Sequence, residues 1–156
     1  MKHAHAMRNP YVHLLVMTAL SFVSMYVLMY AMVDRLANVY GNINQLYMAG
    51  LMTAPMVLIE MGVMGAMYAN KRLNLAIVIA SIVVGLLFFV GIRQQTAIGD
   101  VQFLKSMIPH HASALLMCNE APIADAEIQE LCKTIVAGQQ AEIDQMKAML
   151  ARLEQR

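Results

Sequence analysis

Three long apolar runs followed by two amphipathic ones set the plan of this chain. Residues 11–33, 46–69 and 75–92 carry almost no charge, and each is close to the ~20 residues that cross about 30 Å of hydrocarbon as a helix. Beyond residue 100 the pattern changes to apolar positions at helical spacing, such as Ile128, Leu131, Ile135, Ile143, Met146, Leu150 and Leu153, which predicts amphipathic helices. Gly99 and Asp100 open the first of these, with Asp100 expected as its N-cap, and it should run to about Asn119. Pro109 inside it removes a backbone donor and should bend the axis. Glu120–Ala124, with Pro122, reads as a turn, and Asp125 as the cap of the second helix.

The predicted fold is therefore all-α, with a three-helix transmembrane anchor over 1–93 and an antiparallel helical hairpin over 94–156. Two helices of this size bury too little apolar surface to be secure alone. Two hairpins from two chains are expected to complete a four-helix bundle, making the protein a homo-oligomer.

Composition supports this. Of the 156 residues 60% are hydrophobic and 13% charged, and the net charge is +1, which gives no attraction to nucleic acid. The first apolar run, at about 23 residues, is too long for the core of a cleaved leader and should stay as an anchor. Lys2 and Arg8 before the first span, and Lys71 and Arg72 between the second and third, place those ends in the cytosol. The first loop and residues 94–156 then lie outside it. In a bacterium that is the periplasm, beyond the inner membrane, where disulfides persist.

The outer segment carries the candidate chemistry. Met107, His110, His111, Met117 and Met146 bring thioethers and imidazoles together, a soft to borderline donor set that suits Cu(I) better than magnesium or calcium. At about 100° per residue, His110 and His111 flank Met107 on one face, whereas Met117 lies roughly 10 Å further along the axis. If Cys118 faces Cys132, residues whose numbers sum to about 250 are opposite one another. His111 then meets Gln139, while Met146 and Glu142 flank Met107, with Glu142 placed to hold an imidazole N–H behind the metal. The cysteines themselves have two readings, a disulfide near the turn or thiolates that join Met117 in binding Cu(I). Methionine at helical spacing also serves as adaptable packing.

The segment 100–150, with Asp100, Phe103, Met107-Ile-Pro-His-His111, Met117, Gln140, Glu142-Ile143 and Met146, resembles the bacterial family known as domain of unknown function 305. The resemblance implies a ferritin-like helical fold, an extracytoplasmic location and copper binding by methionine and histidine. The anchor also resembles the membrane-bound branch of that family.

Two further donor groups stand out. Met48, Met52, Met56, Glu60 and Met64 recur at every fourth position of the second span, and an acid within a membrane is a functional candidate. Met56, Glu60 and Met64 could form an intramembrane Cu(I) site; alternatively the methionines pack the helices while protonated Glu60 bonds to Tyr26, Tyr30 or a backbone carbonyl. His3, with a free amino terminus, could hold Cu(II) or Ni(II) in a square plane. There is no Gly-rich phosphate loop, nucleophile elbow, Cys-x-x-Cys or Glu-x-x-His pair, so an enzyme is not expected. The expected function is to sequester Cu(I) or pass it to or from a partner protein, and the rival is an assembly protein whose outer hairpin docks a partner without metal.

Overall fold

A computed structural model describes residues 9–155. Lys2, His3 and Arg8 lie outside the described residues. All regular structure among the described residues is helical: α1 (Pro10–Leu28), α2 (Ile43–Val63), α3 (Lys71–Gln94), α4 (Asp100–Glu120) and α5 (Ala126–Glu154), with short 3-10 turns at Met29–Met32, Leu36–Asn38 and Gly65–Met67. The stretches Pro10–Met32, Ile43–Val63 and Lys71–Gln94 are long and apolar enough to cross a membrane. The second ends six residues before the sequence-based limit of 69, and α3 begins at Lys71 rather than at residue 75. Asn70 explains the early start, because its side chain accepts the Leu73 N–H and caps α3.

The chain divides into two compact units, one of residues up to Val27 with Leu46–Thr96, the other of Leu28–Gln45 with residues from Ala97 onward. The loop between the first two spans thus groups with the C-terminal helices, whereas the sequence reading assigned it to the anchor.

In the first unit, small residues let helices approach closely, as expected where lipid supplies no hydrophobic drive. A side chain on Gly50 would overlap the Phe88 ring, and one on Gly85 would press on Ala54. Leu14, Val57, Met61 and Tyr68 form the buried cluster. Near it, Tyr11 donates to Asn74 Oδ1 at 2.8 Å and accepts from the Asn70 N–H at 3.1 Å, while Asn74 Nδ2 donates to the Tyr68 carbonyl. These bonds satisfy the polar groups where α2 gives way to α3. Outward-facing Leu20, Val27, Leu86 and Leu87 remain exposed, an apolar surface that suits contact with acyl chains.

In the second unit α4 and α5 pack around Leu104, Ile108, Ala112, Leu115, Ile143, Met146 and Leu150. Their contacts run in reverse order along the two helices: Cys118–Cys132 beside the connecting loop, His111–Glu142 midway, Lys105–Glu154 at the far end. Asp125 caps α5 by accepting from Glu127 N and Ile128 N. Asp100 does not cap α4. The N-cap is Gly99, and Asp100 sits in the first turn, where its carboxylate still opposes the positive end of the helix dipole. Helix α4 continues through Pro109, which is buried.

Leu28–Gln45 forms a strap over one side of this helix pair. Val33 and Tyr40 pack on the core. Arg35 Nη2 donates to Gln140 Oε1 at 2.9 Å, Gln102 Oε1 accepts the Ile43 N–H at 3.1 Å, and Ser106 bonds to both Asn42 and Asn44. Within the strap Asn38 donates to Asp34 at 2.6 Å. Burial raises the Asp34 carboxyl, but hydrogen bonds from Asn38 and Arg35 and the Arg35 charge outweigh it and hold the group below its usual value.

Candidate metal centre

The donors foreseen from the sequence separate into an inner and an outer set. Met146 is buried in the α4–α5 core, and Met107 packs against the same cluster. His111, one turn after Met107, is half-buried, and its Nδ1 lies 3.1 Å from Glu142 Oε2. The distance is that of an ion pair, yet the angle is not that of a hydrogen bond, so Nδ1 is a buried nitrogen with no formal hydrogen-bond partner. Gln139 Oε1, from the stretch of α5 opposite, is likewise buried without a partner. Met107 and Met146 thus share one packed cluster, while His111 Nδ1 and Gln139 Oε1 are buried atoms without a hydrogen-bond partner, where such groups are normally bonded.

His110 and Met117 form the outer set. Both side chains are exposed, Met117 by about half. The His110 and His111 rings are tilted, with centroids 5.9 Å apart, so adjacent residues face different surroundings. Asp100, which with Glu142 was expected to support the ligands from behind, sits in the first turn of α4, seven residues before Met107.

Burial pushes His111 below the ordinary histidine range; Glu142 pulls it partly back and His110 adds to the fall. A lowered folded-state value means that the unfolded chain binds more protons, so this histidine removes stability as pH falls through its ordinary unfolded value of ~6.5. Helical melts of the second unit should shift downward between about pH 7 and 5 in the wild type, and His111→Gln should flatten that dependence. An unchanged slope in the variant would assign the effect elsewhere.

Cys118 and Cys132 are joined as a disulfide, with Cα atoms 5.3 Å apart. Among the described residues no three His, Cys, Asp or Glu side chains converge in a way that could hold a metal.

The intramembrane group looks different from its sequence pattern. Helix α2 ends at Val63, which leaves Met64 beyond it and Glu60 in its last turn rather than mid-span. Tyr68 donates to Glu60 Oε1 at 3.2 Å, a partner the sequence reading did not consider, and the hydroxyl of Tyr30 goes to the Tyr40 carbonyl. Met56 packs against the buried cluster, while Met48, Met52 and Met64 are exposed. The stripe is thus divided between packing and outer surface.

Sequence reasoning also missed the strap. Nothing in the spacing of Arg35, Asn38 and Asn42 signals that they bond to or bury against helices some 60 to 105 positions away.

Comparison with known proteins places these helices. Residues 93–156 match the family model described as Domain of unknown function (DUF305). The chain is also similar to Uncharacterized protein L153 of Acanthamoeba polyphaga mimivirus, 30% identical over 140 residues that cover 88% of this chain and 90% of the relative. That similarity reaches well beyond the C-terminal helices into the apolar spans. No solved structure matches. A match over α4 and α5 and a relative alike over nearly the whole length lead to one conclusion: the chain belongs to the domain of unknown function 305 family.

Proposed function

We propose that this protein is a membrane-anchored copper-binding protein that sequesters Cu(I), or exchanges it with a partner protein, outside the cytosol. The observation that carries this reading is the inner set: Met107 packs on the core cluster that holds Met146, and His111, one helical turn after Met107, lies beside Glu142. Thioether and imidazole donors favour Cu(I) over hard cations. Glu142 Oε2 lies 3.1 Å from Nδ1, so a small ring rotation would make it the acceptor that orients an imidazole bound to a metal through the other nitrogen. A lowered His111 pKa keeps the ring neutral, the form that ligates. His110 and Met117 add donors at the surface, where exchange with another protein is accessible. The reading is one of binding.

The same reading places residues 94–156 in the periplasm of a bacterium, anchored in the inner membrane with the amino terminus in the cytosol. Support comes from the basic residues between the second and third spans. It comes too from the grouping of Leu28–Gln45 with the C-terminal helices, since a first loop and a third-span exit emerge on the same side. Two such units associating would complete a four-helix bundle of ferritin type.

Anaerobic Cu(I) titration against a competing chromogenic chelator tests the proposal. Replacing a ligand should weaken binding at least as much as the ~10–100-fold loss typical of outer-shell changes, so Met107→Leu and His111→Ala should each do so. Affinities equal to wild type in both variants would end the copper reading. One observation favours the alternative, a docking protein without metal: Met117, Ile128 and Leu131, near the connection of α4 and α5, are apolar and each about half exposed, as side chains at interaction surfaces are. A wild type that binds no Cu(I) would select it.

A further inference from the structure

The three spans leave a groove between them. Its floor is the buried side of α2, formed by Gly50, Thr53, Ala54 and Val57, and its walls come from α1 and α3. It runs from Tyr11 to Val23 on α1 and from Ile77 to Phe88 on α3, roughly 17 Å at the rise of a helix. Its volume is about 650 Å³, within the range of ligand pockets. The lining is almost wholly apolar. The hydroxyls of Thr18 and Thr53 turn back on their own helices and donate to the Leu14 and Ala49 carbonyls at 2.8 and 2.7 Å, so neither has a proton to offer a polar ligand.

The two ends of the groove differ. At one, Tyr11 ties α1 to the start of α3 by donating to Asn74 Oδ1 and accepting from the Asn70 N–H. Lys71 and Arg72 follow Asn70 and are exposed, and no ion pair among the described residues involves them. Glu60 is the sole acid in residues 1–33 and 46–99, and it already accepts from Tyr68. At the other end the Phe88 ring packs on Gly50, a little past the middle of the spans.

We propose that this groove binds an acyl chain of an anionic phospholipid whose headgroup lies at Lys71 and Arg72. The inference is independent of the copper reading. Length selects the occupant first: half of the ~30 Å hydrocarbon is about 15 Å, so the groove has the reach of a chain from one leaflet. Width excludes a further helix. Spread over its length, the volume leaves a cross-section of about 40 Å², whereas a helix 10–12 Å across fills about 80–110 Å². Charge then selects the headgroup, because unpaired basic residues at the end of a span attract anionic lipid. A chain lodged over Gly50 and Ala54 supplies α1 and α3 with the dispersion contacts that an empty groove forfeits.

Native mass spectrometry of the full chain, purified in mild detergent and offered equal amounts of phosphatidylglycerol and phosphatidylcholine, reads the bound lipid directly. Wild type should retain one phospholipid per chain. Phosphatidylglycerol should be preferred by about 30-fold, since each of two basic residues near the surface contributes roughly fivefold. Ala19→Phe combined with Ala80→Phe, both lining the groove, fills it with apolar rings and should abolish retention. Leu20→Phe, on the outer surface, should bind as wild type does. Lys71→Gln with Arg72→Gln should still hold a lipid but lose most of the preference, and this pair keeps the test decisive if circular dichroism shows that the filled variant has lost helix. A wild type that retains no lipid, equal retention of the two lipids, a filled groove that still carries one, or a preference unchanged without Lys71 and Arg72 would each overturn the site. A wild-type dimer that the filled variant separates would assign the groove to a second copy and overturn it as well.

Discussion

Truncating Ile143 to alanine should destabilise the second unit by about 2–5 kcal/mol, the range for removing a large aliphatic side chain from a packed core. Ile143 and Ile108 have no exposed surface and sit in the same cluster as Leu104, Ala112, Leu115 and Met146. With only two helices and a strap to close over it, this core has little surrounding structure that can collapse into the vacated space. Because Met146 belongs to the same cluster, a cavity at position 143 should also loosen the inner donor set. Thermal or urea melts of the full chain followed by helical circular dichroism read the stability, and a loss below ~1 kcal/mol would mean that the pair is far more plastic than its packing implies.

Reducing the Cys118–Cys132 disulfide should have the second large effect. The bond spans a separation of 14 residues, and closing a loop of about that length stabilises by roughly 3 kcal/mol in the chain-entropy model. It also sets the register at the connecting end of α4 and α5, from which His111 falls opposite the Gln139–Glu142 stretch. Cys118→Ser together with Cys132→Ser should therefore lower the melting temperature and match wild type in reductant. Should reductant leave wild type unchanged, the cysteines contribute nothing as a staple and the thiolate reading returns.

The chemistry of the second unit was legible to an unequal degree. Helical periodicity and cap residues located α4 and α5 within a residue or two, because an N-cap such as Asp125 acts on the next two or three N–H groups and needs no distant partner. Asp100 illustrates the limit of the same logic: Gly99 and Asp100 are both acceptable caps, and the backbone takes Gly99. The register was legible because two cysteines constrain it. That register put Glu142 near an imidazole without choosing between His110 and His111, and the burial that lowers His111 depends on packing that spacing cannot convey.

For the spans, the sequence determined that there are three and roughly where they run, since about 20 apolar residues suffice to cover the hydrocarbon whatever surrounds them. It could not determine that α2 stops at Val63, that Glu60 therefore lies in a final turn with Tyr68 as its donor, or that the methionine stripe divides between packing and surface.

What sequence alone settled, then, are properties carried by a short window of residues: the apolar spans, the amphipathic helices, the donor types and the family likeness. Only the tertiary structure decided that the first loop is a strap over α4 and α5, that His111 is sheltered while His110 is exposed, and that the three spans leave a groove over α2. Each of these depends on contacts between residues tens of positions apart, where burial and not local propensity determines which polar group is bonded and which apolar group still needs a partner.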